Sequence, residues 1–334
     1  CFLEYIRQTA SLLRNSEENR NINMTDIKSM TKDELKNLMT ELGEKPFRAK
    51  QIYSWLHEHL VTSYDEMGNI PGKLKEKLKD YPIAALEMVD EQVSAIDGTR
   101  KYLFRLSDGN VIESVLMRYK HGNSVCISSQ VGCKMGCRFC ASTIGGWTRN
   151  LLPSEMLDQI YRIQSITGER VSNVVVMGTG EPMDNYDNIV KFIELLTDEH
   201  GLHISQRNLT VSTCGLVPKI YELAEEKLQM TLALSLHAPN DMIRNRIMPV
   251  SKANPMDKLL QACRDYVAKT NRRITFEYSL IKDVNDSAEN AKELAEKLKG
   301  LLCHVNLIPV NDVKERDYVR STNEAVKRFE GILT

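Results

Sequence analysis

The sequence predicts an α/β protein: a partial βα (TIM-like) barrel preceded by a small helical amino-terminal domain and a β-hairpin. Three observations predict it. Helical patterns fill residues 25–92, two β-rich runs flank a strong turn near residue 108, and strands alternate with helices beyond residue 170. Such alternation favours a parallel sheet or barrel. No Gly-x-Gly-x-x-Gly motif follows a predicted strand, which argues against a dinucleotide-binding Rossmann fold.

The helical module begins with a capping box. Thr31 and Glu34 have the spacing of reciprocal caps, and apolar residues at helical intervals follow until Gly43 ends the helix. Pro46 opens a second helix, and a third, strongly basic helix runs from Lys73 to Lys79. These patterns predict a small bundle with one apolar side to each helix.

A hairpin and an extended segment follow. The β-rich runs Tyr102 to Leu106 and Val111 to Met117 flank Ser107-Asp108-Gly109-Asn110, a strong turn signal. The extended segment Val125 to Ser128 leads into a cysteine-rich loop.

Beyond that loop, five apolar segments are separated by helical patterns. The predicted strands are Val174 to Met177, Leu209 to Ser212, Thr231 to Leu236, Ile274 to Tyr278 and Val305 to Ile308. The predicted helices include Tyr186 to Leu196, Val217 to Glu226, Pro255 to Thr270 and Ala288 to Leu298. In a βα barrel, functional residues lie at the carboxyl ends of the strands.

Composition bounds the class of protein. The chain has 334 residues with 44 Lys+Arg, 45 Asp+Glu and a net charge of -1, as in ordinary globular proteins. No stretch reaches the roughly 18 apolar residues of a membrane span, and no secretory signal is visible. Eight cysteines are too few for a disulfide scaffold, and their clustering indicates a reducing cytosol. We therefore predict a cytoplasmic protein without a membrane partner.

The cysteine loop carries the strongest chemical signal. Cys133, Cys137 and Cys140 form a Cys-x3-Cys-x2-Cys motif, whose three thiolates can ligate three irons of a four-iron cubane and leave the fourth iron open. This pattern resembles that of radical S-adenosylmethionine (SAM) enzymes, in which the open iron binds the amino and carboxylate groups of SAM. A structural zinc site is the alternative, but zinc needs four ligands, and no second cysteine pair is present. A ferredoxin-type cluster would also use four cysteines.

Polar residues follow the predicted strands. Glu181 lies in Gly178-Thr179-Gly180-Glu181-Pro182, where glycines allow close approach of a ligand and the carboxylate can receive an ammonium group. The other strand ends supply serines, a histidine and an asparagine: Ser212, Ser235, His237 and Asn311. Each alone is typical of a cap or a structural residue. Together they predict a rim that binds a polar zwitterion and a ribose.

From about residue 25 onward, the chain resembles the radical SAM adenine-C2 methyltransferases of 23S ribosomal RNA and tRNA (RlmN-like), with the Cfr-type C8 enzymes as relatives. The resemblance is carried by several motifs: Leu42 to Ala49, Val111 to Val115, Cys126 to Cys133, Gly178 to Tyr186, Ser235 to Ala238, Phe276 to Tyr278 and Asn306 to Pro309. It implies a [4Fe-4S] cluster on Cys133, Cys137 and Cys140. It also implies SAM contacts from Gly180, Glu181, Ser212, Ser235, Leu236, His237 and Asn311.

The same resemblance implies two catalytic residues outside the cluster. Glu113 matches the glutamate taken as proton acceptor, and Cys126 matches one of two functional cysteines. The family uses two SAM molecules: one methylates a second cysteine, and the other yields the radical that activates this methyl group. A base then removes the C2 proton, and Cys126 attacks sulfur, leaving a disulfide. That second cysteine lies in an Ala-Cys-Gly-Gln-Leu-like tail, and this chain ends before it, so we expect cluster and SAM binding without complete methyl transfer.

The resemblance also defines domains and partners. We predict an amino-terminal extension at residues 1–24, since Met24 offers a start; an RNA-binding helical domain at 25–92; a hairpin linker at 93–125; and a truncated radical SAM barrel at 126–334. The implied substrates are adenine-2503 of 23S rRNA and adenine-37 of tRNA. The other implied partner is an electron donor such as flavodoxin or ferredoxin, and the protein is expected to be a monomer. Basic residues that could contact RNA are Lys73, Lys75, Lys77, Lys79, Arg149, Arg244, Arg246, Arg272 and Arg273.

Three alternatives remain at this stage. A C8 methyltransferase of the antibiotic-resistance type shares the chemistry, although the complete helical module and the segment Glu315 to Arg320 are more similar to the C2 group. A catalytically incomplete RNA-binding homologue is the second alternative. A zinc-stabilised binding module is the third.

Overall fold

The computed structural model describes residues 26–311 and 313–334. The predicted extension at residues 1–24 lies outside the described residues. No helix within the described part combines the length and the apolar character needed to span a bilayer.

Helices and strands alternate through most of the described chain. The helices are α1 Lys32–Glu41, α2 Phe47–His57, α3 Gly72–Leu78, α4 Pro153–Thr167, α5 Tyr186–Thr197, α6 Val217–Glu225, α7 Asp241–Ile247, α8 Met256–Thr270, α9 Ala288–Leu298 and α10 Asn323–Leu333. The strands are β1 Glu87–Val93, β2 Arg100–Arg105, β3 Val111–Tyr119, β4 Gly122–Cys126, β5 Gln130–Gly132, β6 Trp147–Asn150, β7 Val171–Val176, β8 Leu209–Thr213, β9 Thr231–Ser235, β10 Ile274–Leu280 and β11 Cys303–Pro309.

The predicted capping box at the start of α1 is confirmed. The Glu34 N–H donates to Thr31 Oγ1 at 3.3 Å, and the Thr31 N–H donates to Glu34 Oε2 at 2.7 Å. Two of the N–H groups that a helix leaves unpaired at its start are thereby satisfied.

The chain divides into two compact units. The first comprises the described residues up to Val131 with Asn150–Val174 and Asp187–Ser205, and the second comprises Gly132–Arg149, Val175–Tyr186 and Gln206–Thr334. The domain boundaries predicted above follow the sequence and stay predictions.

In the first unit, the predicted hairpin forms part of a larger antiparallel sheet. Strand β2 pairs with β3 as predicted, and β1 and β4 add a strand on either side. Strand β1 was not predicted, because its residues do not alternate between apolar and polar types. Only its third and fifth residues are half-buried, and the others are exposed. The segment predicted as extended, Val125 to Ser128, contains the end of β4.

A buried ion pair ties the amino-terminal segment of this unit to α4. Lys28 Nζ lies 2.6 Å from Asp158 Oδ1, and the two side chains are 1% and 2% exposed. Lys28 Nζ also donates to the carbonyl of Ala84, and the Leu86 N–H donates to Asp158 Oδ2 at 2.7 Å. The charged groups are therefore both paired and hydrogen-bonded, as buried charges require.

Replacing Asp158 by alanine is expected to lower the free energy of unfolding by about 3–5 kcal/mol, because Lys28 would remain buried without its counter-ion. Urea denaturation of the protein and its variants measures this. The exposed pair Lys36–Asp33, at 2.7 Å, provides the matched control: Asp33→Ala should change stability by less than about 1 kcal/mol. Equal effects of the two substitutions would contradict the argument.

In the second unit, β8, β9, β10 and β11 form a parallel sheet, which confirms the predicted α/β architecture. The register pairs Ser212 with Ala233, Ser235 with Glu277, and Glu277 with Asn306. Since parallel strands end at one edge of a sheet, the polar residues that follow β8, β9 and β11 lie along the same edge.

Candidate active site

The cysteine loop of the second unit is fixed by its own backbone. Gly132 adopts φ +73°, and a Cβ there would overlap the carbonyl of Gly146, so only glycine fits. The Cys133 N–H donates to that same carbonyl at 2.8 Å. Thr143 Oγ1 donates to the carbonyls of Cys137 and Cys140 at 3.1 and 3.0 Å. The three cysteines therefore lie on a tight, internally bonded loop.

The thiols of this loop influence one another electrostatically. Burial raises the pKa of Cys133 to about 11 and that of Cys137 to about 12, and neighbouring thiols of the motif add to both shifts. A bound cationic iron would offset these costs, because thiolates are the form that ligates metals. No disulfide joins the seven cysteines that the structure describes.

The donor set fits an iron–sulfur cluster better than zinc. Within residues 26–311 and 313–334, no group of three His, Cys, Asp or Glu side chains closes around one metal ion. A structural zinc ion needs four such ligands. The thiolates of a cubane each bind a different iron, so they need not converge on one point.

Glu181 lies in the turn that follows β7, where it is buried and held by backbone donors. Its Oε2 accepts from the Cys214 N–H at 2.7 Å, and its Oε1 accepts from the Met183 N–H at 3.0 Å. Burial raises the pKa of this carboxyl, although those hydrogen bonds oppose the shift. A ligand ammonium group would favour the charged form. Gly180, with φ +111°, precedes it in a conformation suited to glycine.

The ends of β8 and β9 are held together by a buried arginine. Arg244 is 0% exposed. Its Nη2 donates to the carbonyl of Cys214 at 2.7 Å and to that of Ser235 at 3.3 Å, while its Nε donates to that of Leu236 at 3.1 Å. The prediction that Arg244 contacts RNA is wrong, because its buried guanidinium donates its hydrogen bonds to these carbonyls. Burial also lowers the pKa of this side chain.

The predicted SAM-binding serines occupy neighbouring strands. Ser212 Oγ donates to the carbonyl of Val176 at 2.9 Å, which places the end of β7 beside β8. Ser235 is half-buried at the end of β9, and the side chain of Leu236 is fully buried. Any contact of Leu236 with a ligand would involve its backbone.

His237 has a strained backbone and a neutral ring. Its φ of +56° is uncommon for a residue with a side chain. Burial and the nearby Arg244 charge lower its pKa to about 3. The Ser279 N–H donates to His237 Nδ1 at 2.9 Å, which leaves the proton on Nε2, and Asn285 Nδ2 donates to the His237 carbonyl at 2.7 Å. Phe139 of the cysteine loop packs edge-on against the ring at 4.9 Å.

Asn311 follows β11 and is exposed. The preceding Val310 is buried and donates its N–H to the carbonyl of Leu280 at 3.1 Å, so the chain is anchored just before Asn311. The structure therefore places Asn311 at the edge where the other strand-end residues lie, in the same unit as the cysteine loop.

The two predicted catalytic residues lie in the first unit, on one face of the antiparallel sheet. Cys126 is directly opposite Val115, and Glu113 is two residues from Val115 on the same strand. Glu113 and Cys126 are therefore diagonal neighbours on one face of the sheet, a relation in which the two residues lie about 7–8 Å apart. Both are half-buried, whereas Ser114 and Leu116, which point to the other face, are buried.

Lys101 orients the Glu113 carboxylate. Its Nζ lies 2.8 Å from Glu113 Oε1, and both side chains are partly exposed. Ser128 Oγ donates to the carbonyl of Glu113 at 2.7 Å, which fixes the backbone at the same point. The sequence analysis did not single out Lys101, because its role depends on strand register.

Two family models match the chain. The "Radical SAM superfamily" matches residues 127–326, and the "Ribosomal RNA large subunit methyltransferase N-terminal domain" matches residues 23–83. The chain belongs to the radical SAM superfamily, whose enzymes use a [4Fe-4S] cluster and SAM.

Within that superfamily, the relatives define the branch. A probable dual-specificity RNA methyltransferase RlmN of Lachnospira eligens is 63% identical over 93% of this chain and 89% of the relative. One of Lachnoclostridium phytofermentans is 60% identical over 92% and 87%. The crystal structure of a radical SAM methyltransferase from Sphaerobacter thermophilus is 44% identical, with a TM-score of 0.88 over 92% of each chain. The chain is a member of the RlmN family.

Proposed function

We propose that this protein methylates C2 of an adenine in RNA, in both 23S rRNA and tRNA, and consumes two SAM molecules per turnover. The observation that carries the proposal is the placement of Glu113 and Cys126 on one face of β3 and β4. Radical SAM chemistry alone needs neither residue, whereas removal of a ring proton and release of a thioether need a base and a thiolate. The 63% identity to an RlmN relative supports the same assignment.

Cys133, Cys137 and Cys140 would hold the cluster, which supplies the electron that cleaves SAM. Glu181 would receive the SAM ammonium group, because its buried carboxylate is held in place by two backbone donors. The neutral His237 would donate from Nε2. The remaining contacts are proposed for Gly180, Ser212, Ser235, Leu236 and Asn311.

Glu113 and Cys126 would act on the adenine after its new carbon bond has formed. Glu113, oriented by Lys101, takes the C2 proton. Cys126, as the thiolate, attacks the sulfur that tethers the base to the protein; a sulfur–sulfur bond forms, and the carbon–sulfur bond breaks with its electron pair on the methylene carbon. That carbon takes a proton, and the methylated base leaves. A target adenine must first be unstacked to reach such a site.

The proposal extends to the partners. An acidic one-electron donor such as flavodoxin or ferredoxin would reduce the cluster, and the protein would act as a monomer. Substrates of this kind place the reaction with ribosomes and tRNA in the cytoplasm.

The position of the methyl group tests the proposal. We would use the protein as its own gene encodes it. An RNA hairpin with an unpaired adenine, deuterated at C2, is incubated with SAM and a strong reductant. We expect 2-methyladenine without the C2 deuterium. Methylation at C8 would assign the alternative enzyme, and RNA binding without 5′-deoxyadenosine would indicate an incomplete homologue.

Two cysteine substitutions in the same protein separate the roles. Cys126→Ala is expected to leave 5′-deoxyadenosine formation intact but to trap the RNA covalently on the protein, because nothing attacks the tethering sulfur. Cys303→Ala is the control: this half-buried cysteine on β11 should release product normally. Gel electrophoresis of labelled RNA measures the adduct. Normal product release by Cys126→Ala would remove the assigned role.

A further inference from the structure

The outer side of α2 has an unusual composition for a solvent-facing helix surface. The buried side carries Ala49, Ile52, Tyr53, Leu56 and His57. The opposite side carries Phe47, Gln51 and Trp55 at intervals of four residues, with Arg48 beside Phe47. We call these four residues the α2 outer stripe. Phe47 is 52% exposed, although a solvent-facing helix side is normally polar.

The planar groups of this stripe are held in place. The Arg48 guanidinium lies 4.8 Å from the Phe47 ring centre. Arg48 Nη1 donates to Gln51 Oε1 at 2.7 Å and to the Asn69 carbonyl at 3.2 Å. Trp55 Nε1 donates to Asn69 Oδ1 at 2.6 Å. A ligand that stacks on these planes would lose little side-chain entropy, because the planes are already ordered.

The charge around the stripe favours a polyanion. Lys45 and Lys50 are exposed, and among the described residues neither has an ion-pair partner. Of the nearby carboxylates, Glu44 pairs with Lys77 at 2.7 Å, whereas Glu58 accepts a hydrogen bond from a neutral donor, Ser54, at 2.7 Å. In the basic helix α3, by contrast, Lys77 and Lys79 form ion pairs with Glu44 and Glu76.

We propose that the α2 outer stripe binds unpaired nucleotides of the RNA substrate. A base stacks on Phe47 with the Arg48 guanidinium, and Lys45 and Lys50 contact the flanking phosphates. Aromatic rings and arginine planes are the groups on which splayed RNA bases stack, and the cations match the backbone. This inference rests on the proposed function, since it names how the same RNA is held outside the active site.

RNA affinity of the Phe47→Ala variant tests the stacking contact. Fluorescence anisotropy is measured with a labelled hairpin that has an unpaired loop, and with a duplex of equal charge. Because one base loses its stacking partner, we expect hairpin binding to weaken about tenfold and duplex binding to change little. Tyr119→Ala, which removes a 51% exposed aromatic of β3, is the matched control and should bind as the wild type.

The phosphate contacts have a separate signature. Lys45→Gln with Lys50→Gln should reduce the slope of log affinity against log salt by about 1.4, at about 0.7 for each single-strand phosphate contact. Phe47→Ala should leave that slope unchanged. In a Trp147→Phe background, Trp55 is the one remaining tryptophan, and hairpin binding should quench its emission.

The outcomes separate this inference from the proposed function. If the wild type binds and methylates the hairpin while Phe47→Ala binds it equally well, the stripe is not an RNA site and the enzyme assignment stands. Equal losses in Phe47→Ala and Tyr119→Ala would also overturn it. If the wild type binds no RNA, the proposed function itself fails.

Discussion

Replacing Cys137 by alanine is expected to abolish formation of 5′-deoxyadenosine from SAM. The Cys137 thiol is one of the three proposed cluster ligands, so its loss should leave an incomplete cluster with no turnover above background. Reconstitution with iron and sulfide under anaerobic conditions, followed by addition of SAM and a strong reductant, measures both iron content and product.

The control separates ligation from packing. Cys137 packs against the apolar cluster that contains Met248 and Val310, so alanine also removes some buried surface. Cys303→Ala removes a thiol of similar burial from β11 and should keep full iron content and full SAM cleavage. If Cys137→Ala retains iron and cleaves SAM, the three cysteines are not the cluster ligands. If the protein binds zinc instead of iron, the cysteine loop is a structural zinc site.

Local sequence signals predicted much of the fold. The capping box of Thr31 and Glu34 fixed the start of α1, and helix α9 was predicted with its observed bounds, Ala288–Leu298. The strands β8 and β9 were predicted to within one residue, because β-branched and apolar residues predominate in both. These features depend on residues near one another in the chain, which is why the sequence alone could reveal them.

The features that the sequence analysis missed depend on distant residues. Strand β1 is charged and mostly exposed, so only its pairing with β2 makes it a strand. The Lys28–Asp158 pair joins residues 130 positions apart. Lys101 was not singled out because its contact with Glu113 arises from strand register. None of these long-range pairings produces a recognisable pattern in the neighbouring sequence.

In the candidate active site, too, the residues in local motifs were predicted, and those that depend on distant contacts were not. The three cysteines and Glu181 stand in dense local motifs and were selected from them. Arg244 was assigned to the RNA surface, because a basic residue is usually exposed. Its neighbour Arg246 is exposed, and nothing local distinguishes the two. The difference comes from helix α7, which turns Arg244 toward the carboxyl ends of β8 and β9.

Replacing Arg244 by methionine is therefore expected to damage the site and the fold together. The carbonyls of Cys214, Ser235 and Leu236 would lose their donor in a buried position. An unsatisfied buried polar group costs about 1–3 kcal/mol, and removal of a buried charge offsets part of that cost, so we expect a loss of about 2–4 kcal/mol in the free energy of unfolding. Urea denaturation of the protein and its variants measures it.

SAM affinity should fall with it, because the same carbonyls fix the ends of the strands that carry Ser212 and Ser235. Equilibrium binding of SAM to the reconstituted protein is expected to weaken at least tenfold in Arg244→Met. Arg246→Met, two residues away on α7 and exposed, should change neither stability nor SAM affinity. If Arg246→Met instead weakens SAM binding while Arg244→Met does not, the charge on the surface of α7, and not the buried guanidinium, organises the strand ends.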